Sequence, residues 1–166
     1  GSEMCIRDRK YSDLKIKLII LDDTSKDENL DKIKEIIKDV NSEIISLNIE
    51  KFETKIKKQK TQETFSNLAS LFKCFEIGKE IGEDLIFFVE DDYIHFETML
   101  EEMIATYERG SSQVGKDIFI CPADYPYLYM NNEKTNVLIG DKRHWRTINK
   151  TLCTFLTSKK LLDLYW

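Results

Sequence analysis

The amino-acid sequence predicts an α/β fold, a mostly parallel sheet flanked by helices, and three observations carry that prediction. Short runs of aliphatic and aromatic residues, at 16–21, 44–49 and 85–89, alternate with stretches whose apolar residues recur at helical spacing. The run LIFFV at 85–89 contains no polar residue. A strand of that kind is expected to be buried on both faces, as in parallel sheets covered by helices. The resulting order, strand, helix, strand, helix, strand, calls for right-handed crossovers. Composition agrees, since 42% hydrophobic and 33% charged residues with six Gly and two Pro fit an ordered globular chain.

Taken in order, residues 1–10 read as a non-native leader. GSEMCIRDR lacks both an amphipathic period and a signal-peptide core, and it resembles translated adapter sequence. Residues 11–166 then read as one domain, incomplete at both ends. The strand at 16–21 runs into Asp22-Asp23-Thr24-Ser25, and Leu30, Ile33, Ile36, Ile37 and Val40 predict an amphipathic helix over 27–40, capped by Ser25 or Asp27. A strand over 44–49 precedes a basic run of Lys51, Lys55, Lys57, Lys58 and Lys60. Such a run is either a solvated face or a contact for an anionic substrate or membrane surface. Phe65, Leu68, Ala69, Phe72 and Phe75 predict a core-facing helix over 64–80, which leads into the strand at 85–89 and then Glu90, Asp91 and Asp92.

Met99, Leu100, Met103, Ile104 and Tyr107 share one face of a helix predicted over 96–108. Gly110, Ser111, Ser112 and Gly115 predict a loop, followed by a strand over 117–121 and an irregular aromatic stretch at 122–127 suited to framing a sugar or base, or to plain surface. Strands are expected over 136–140 and 152–156, and Ser158 is placed to cap a last helix.

The net charge of −5 argues against a dedicated nucleic-acid binder, because such affinity rests on Lys and Arg neutralising phosphates. Cys5, Cys74, Cys121 and Cys153 are too dispersed for a zinc site or disulfide framework and read as reduced thiols of a cytoplasmic protein. No apolar run reaches the length of about 18 residues that a spanning helix needs, which leaves only peripheral membrane contact open.

Two predicted strands end in carboxylates, and ligand crevices in open α/β sheets lie at the carboxyl ends of strands. Three adjacent acids repel unless a cation, a hydrogen bond or a ligand compensates. Mg²⁺ or Mn²⁺ suits such oxygen donors, with Asp92 as first choice of ligand and Glu90 as second. The competing reading makes the acids helix caps or solvated turns, with His95 a surface residue and Tyr93 a packing group.

The succession LIILDDTS, NLASLFKCFEIGKE and DLIFFVEDDY resembles the nucleotide-binding half of family 2-like glycosyltransferases of the Rossmann-like GT-A fold. The resemblance implies transfer of a sugar from a nucleotide-sugar donor to a glycan or small-molecule acceptor with divalent-metal assistance. It assigns Asp22 or Asp23 to the nucleobase, Glu90 or Asp91 to the ribose and diphosphate, and Asp92 to the metal. The family's D-x-D motif reads Glu90-Asp91-Asp92 in this chain, with Glu as its first acid. HWRTINKTLCTF is similar to a later segment of some bacterial sugar transferases, which implies that His144 and Arg146 reach the diphosphate while Trp145 stacks on a ring. Asp124, His144 and Arg146 are the catalytic candidates, and the family's catalytic base is expected beyond residue 166. The alternatives are a receiver-like signalling module that binds Mg²⁺ through its acidic strand ends, and an inactive nucleotide-binding fragment. A phosphatase of the haloacid dehalogenase class is disfavoured, because DDTS lacks the D-x-D-x-T order.

Overall fold

A computed structural model describes residues 14–56, 61–123, 125–130, 134–148, 150 and 154–166. Among them the fold is mixed α/β, with four α-helices and three two-stranded sheets. They cluster into two compact units divided between Ile77 and Gly78.

In the first unit, β1 (Leu18–Asp22) and β2 (Ser42–Ser46) pair in parallel, in register from Leu18 opposite Ser42 to Asp22 opposite Ser46. The crossover is helix α1 (Asp27–Ile36). It stops short of the predicted Val40, because its apolar stripe is covered only in part: Leu30 and Ile33 are half-buried, whereas Ile36 is 79% exposed. Neither Ser25 nor Asp27 caps it. Lys26 occupies that position without a side-chain bond, and Asp27 and Glu28 instead complement the positive end of the helix dipole. After β2 the chain makes a 3-10 turn (Ile49–Phe52), and helix α2 (Gln62–Ile81) follows, with its last residues in the second unit. Leu47, Phe52 and Ala69 form the buried core of the first unit, with Leu21, Phe65 and Phe72 packed around them. Ala69, Phe65 and Phe72 come from the predicted helical face.

In the second unit, β3 (Leu85–Phe88) pairs with β6 (Phe155–Ser158), and the pairing is antiparallel. Parallel pairing is therefore confined to β1 and β2 among the described residues, where the sequence predicts a mostly parallel sheet. An apolar run records that a strand is covered; it carries no information on the direction of its neighbour. Burial also falls short of the expectation, since Leu85, Ile86 and Phe87 are half-buried and Val89 is 46% exposed. The strand predicted over 117–121 contributes a single bridge, Ile120 to Leu156, closed by backbone hydrogen bonds of 2.9 and 2.8 Å.

Helix α3 (Met99–Val114) runs through Gly110, Ser111 and Ser112, where a loop was expected. The Ser111 hydroxyl donates to the Tyr107 carbonyl at 2.7 Å, so this residue's competing polar group is satisfied inside the helix. The stop is Gly115, whose φ of 68° is the left-handed conformation that glycine adopts without a Cβ penalty. β4 (Val137–Ile139) and β5 (His144–Arg146) form an antiparallel hairpin. Helix α4 (Lys159–Tyr165) starts where predicted, with the Ser158 hydroxyl accepting from the Leu161 N–H at 3.1 Å. Met103, Tyr107, Ile120 and Leu156 form the core here. No described helix is long and apolar enough to cross a membrane. Cys74 and Cys121 are thiols rather than half-cystines, while Cys5, Cys153, Lys57, Lys58 and Lys60 lie outside the described residues.

Candidate functional site

The acidic end of β1 is built as a turn. Asp22 is 8% exposed, its carbonyl accepts from the Leu47 N–H at 2.7 Å, and its Oδ1 accepts from the Ser25 N–H at 3.3 Å. That bond, from the Asp22 side chain to the backbone three residues on, closes a local turn. Inside it Thr24 has φ of 63°, which is uncommon for a β-branched residue. Asp23 is exposed and accepts from the Ser66 hydroxyl on α2. The local-turn reading therefore accounts for Asp22, whereas the Asp23 bond reaches across to another element.

The acidic end of β3 lies in the second unit and differs in kind. Glu90, Asp91 and Asp92 follow the strand in an exposed turn. Thr154, fully buried before β6, accepts from the Glu90 N–H at 3.2 Å and donates to Glu90 Oε2 at 3.3 Å. Glu90 is thus tied to the neighbouring strand. Asp91 and Asp92 make no hydrogen bond or ion pair with a described residue. Repulsion among the three acids is relieved by water and by this one hydroxyl. Beside the turn, the Tyr93 and Tyr125 hydroxyls meet, and His95 stacks on Tyr93 with ring centroids 6.5 Å apart. Burial, then the bond to Tyr93, pushes the Tyr125 phenol well above its ordinary value, so it stays protonated.

Among the described residues no group of three or more His, Cys, Asp or Glu is arranged to hold a metal ion. An all-protein cage is therefore not built at Glu90–Asp92. What is present is a pair of solvent-facing carboxylates, and Mg²⁺ uses one or two carboxylates when waters and substrate phosphates complete its shell. Asp91 and Asp92 fit that mode. Glu90 fits it less well, because one of its oxygens is engaged by Thr154.

No protein-family model, curated protein or solved structure matches the chain. The β4–β5 hairpin carries the other sequence candidates. His144 and Arg146 alternate with Trp145 along β5, so they share one face and Trp145 takes the other. His144 is exposed, and the Arg146 guanidinium lies 4.2 Å above the Tyr129 ring. Trp145 has a role that was not expected: its indole N–H donates to Glu102 Oε1 at 2.9 Å, and the half-buried ring packs against the core. Asp124 lies outside the described residues.

Glu102 is the residue that sequence reasoning missed. On α3 and only 5% exposed, it accepts from the backbone N–H groups of Asp141 at 3.1 Å and Lys142 at 2.7 Å as well as from Trp145. Gly140 makes this approach possible, since a Cβ there would fall on the Glu102 carboxylate and come within 2.6 Å of the Trp145 indole nitrogen. Burial raises the carboxyl's pKa, but bonds from Trp145, Lys142, Asp141 and Arg143 outweigh it and hold the group below its ordinary value. The Arg109 guanidinium donates to the Ile139 and Gly140 carbonyls, a second tie from α3 to the same hairpin. The only sequence signal was Gly140-Asp141 between two short runs, a hairpin-turn pair.

Proposed function

We propose that the chain is the nucleotide-sugar-binding part of a GT-A-type glycosyltransferase, working on the cytoplasmic side. The observation that supports this most is the pair of solvent-facing carboxylates, Asp91 and Asp92, directly past the carboxyl end of β3. In this reading Asp92 is the main ligand of Mg²⁺ or Mn²⁺, and Asp91 assists it. Glu90 is a positioning residue, its oxygen oriented by Thr154. Arg146 supplies positive charge for the diphosphate, and His144, on the same face of β5, supplies a hydrogen-bonding ring nitrogen. A bound divalent cation supplies charge withdrawal from the departing diphosphate, which eases cleavage of the bond to the transferred sugar.

The test is calorimetric titration of the whole chain with UDP, GDP and related nucleotides, with and without Mn²⁺. Saturable binding that requires Mn²⁺ and is lost in Asp92→Ala is the expected result. Because Asp92 is exposed and bonded to no described residue, that variant keeps the wild-type circular dichroism spectrum. Nucleotide affinity that is absent, or indifferent to both Mn²⁺ and Asp92, overturns the proposal.

A further inference from the structure

We infer that the first unit carries a separate anion site, a cavity past the carboxyl end of β2 that takes a phosphoryl group. The cavity measures about 160 Å³, and its walls include Ser46, Asn48, Lys51, Lys55, Lys73 and Glu76. The charges on those walls do not balance. Glu76 Oε1 accepts from the Lys55 ammonium at 2.6 Å, and Oε2 lies 3.6 Å from the Lys73 ammonium, so one carboxylate serves two cations. Lys51 has no carboxylate partner among the described residues. Three lysines and one glutamate line the same space, in a chain whose overall charge is −5.

Like charges gathered in this way favour an anion between them. One of the cations is also held in place. The Lys55 ammonium sits 5.6 Å from the centroid of Phe52 and 5.2 Å from that of Phe72, with Glu76 on its third side. An ammonium has three donors, and a single bond to Glu76 leaves two for a ligand. Ser46 and Asn48 add neutral hydrogen-bonding groups to the wall.

Size selects among anions. Pockets for drug-sized molecules run from about 300 Å³ upward, so a whole nucleotide does not fit inside. A water needs about 10–15 Å³ by the same measure, which leaves ample room for a tetrahedral oxyanion with several waters. The ligand is therefore free phosphate or the phosphoryl end of a larger molecule whose remainder stays outside. This inference rests on the cavity residues alone and is independent of sugar transfer.

The test is an amide NMR titration of the full chain at constant ionic strength, with sodium chloride exchanged for inorganic phosphate and, in a second arm, for metal-free UDP. Saturable shifts at Leu47, Asn48 and Lys51 are expected in at least one arm. Tighter binding of phosphate identifies the free ion as ligand, and tighter binding of UDP identifies a phosphorylated molecule. Lys51→Met, at an exposed position with no carboxylate partner among the described residues, weakens binding about five-fold, the effect of roughly 1 kcal/mol of ionic contact. Glu76→Gln removes the competing carboxylate and tightens binding. The inference is overturned if neither anion saturates, if Lys51→Met binds like the parent, or if Glu76→Gln fails to tighten.

Discussion

Replacing Glu102 by Gln is expected to loosen the β4–β5 hairpin from α3 and to destabilise the second unit. A glutamine keeps one acceptor oxygen and sets an amide NH₂ where the other carboxylate oxygen was. If the NH₂ takes the place of Oε2, the Lys142 N–H at 2.7 Å faces a donor; if it replaces Oε1, the Asp141 and Trp145 N–H groups do. The first arrangement loses less. It removes a charge-assisted bond of about 1.5–3 kcal/mol and leaves a partly buried donor unmet, for a total of about 2–4 kcal/mol. At about 2–4 °C per kcal/mol for a chain of this size, the midpoint falls by about 4–16 °C.

Acid should mimic the substitution. The folded-state pKa of Glu102 lies below its unfolded value, so its contribution is fully present above the unfolded pKa and is lost as pH falls through the folded one. Thermal unfolding followed by circular dichroism should therefore show a parent midpoint that drops on acidification below about pH 4, and a smaller drop in Glu102→Gln. The Lys142 amide resonance reports the lost bond directly, and the Trp145 indole N–H resonance reports the loss of charge on its own acceptor. A midpoint within about 1 °C of the parent at neutral pH, together with an unmoved indole resonance, would refute the reasoning. The exposed Glu97→Gln serves as the charge-matched control.

Two further substitutions probe the same scaffold. Gly140→Ala drives a methyl group into the Glu102 carboxylate and the Thr106 hydroxyl, and overpacking of this kind costs about 1–3 kcal/mol, readable as a lower urea midpoint. Ser158→Ala removes the cap on the Leu161 N–H and should cost about 1 kcal/mol, with Ser158→Gly recovering part of the loss.

The outcomes at particular residues show where sequence reasoning reached and where it stopped. Helical faces were legible: Phe65, Ala69 and Phe72 on α2, and Met103 and Tyr107 on α3, pack as their spacing predicts. The Ser158 cap was legible for the same reason, because cap and helix are adjacent in the chain. Strand direction was not, since β3 and β6 are chosen for each other by tertiary packing and an apolar run looks alike in either orientation. Helix α3 outran its expected end because Ser111 satisfies itself on Tyr107, a local bond that composition does not reveal. At the acidic turns the residues were found but not their partners. Nothing near Asp23 announces Ser66, nothing near Glu90 announces Thr154, and the donors to Glu102 lie about 40 residues downstream.

The pairing of β3 with β6 has a consequence for how the chain is made. Glu90 and its anchor Thr154 are separated by 64 residues, a stretch that takes about 3–13 s to translate. Throughout that interval β3 waits with an unpaired apolar edge, and such edges recruit other strands. The acidic turn begins two residues beyond the strand, so three negative charges flank the waiting edge. Their position is that of the charges which, beside an unavoidable apolar strand, disfavour its pairing with a second nascent chain.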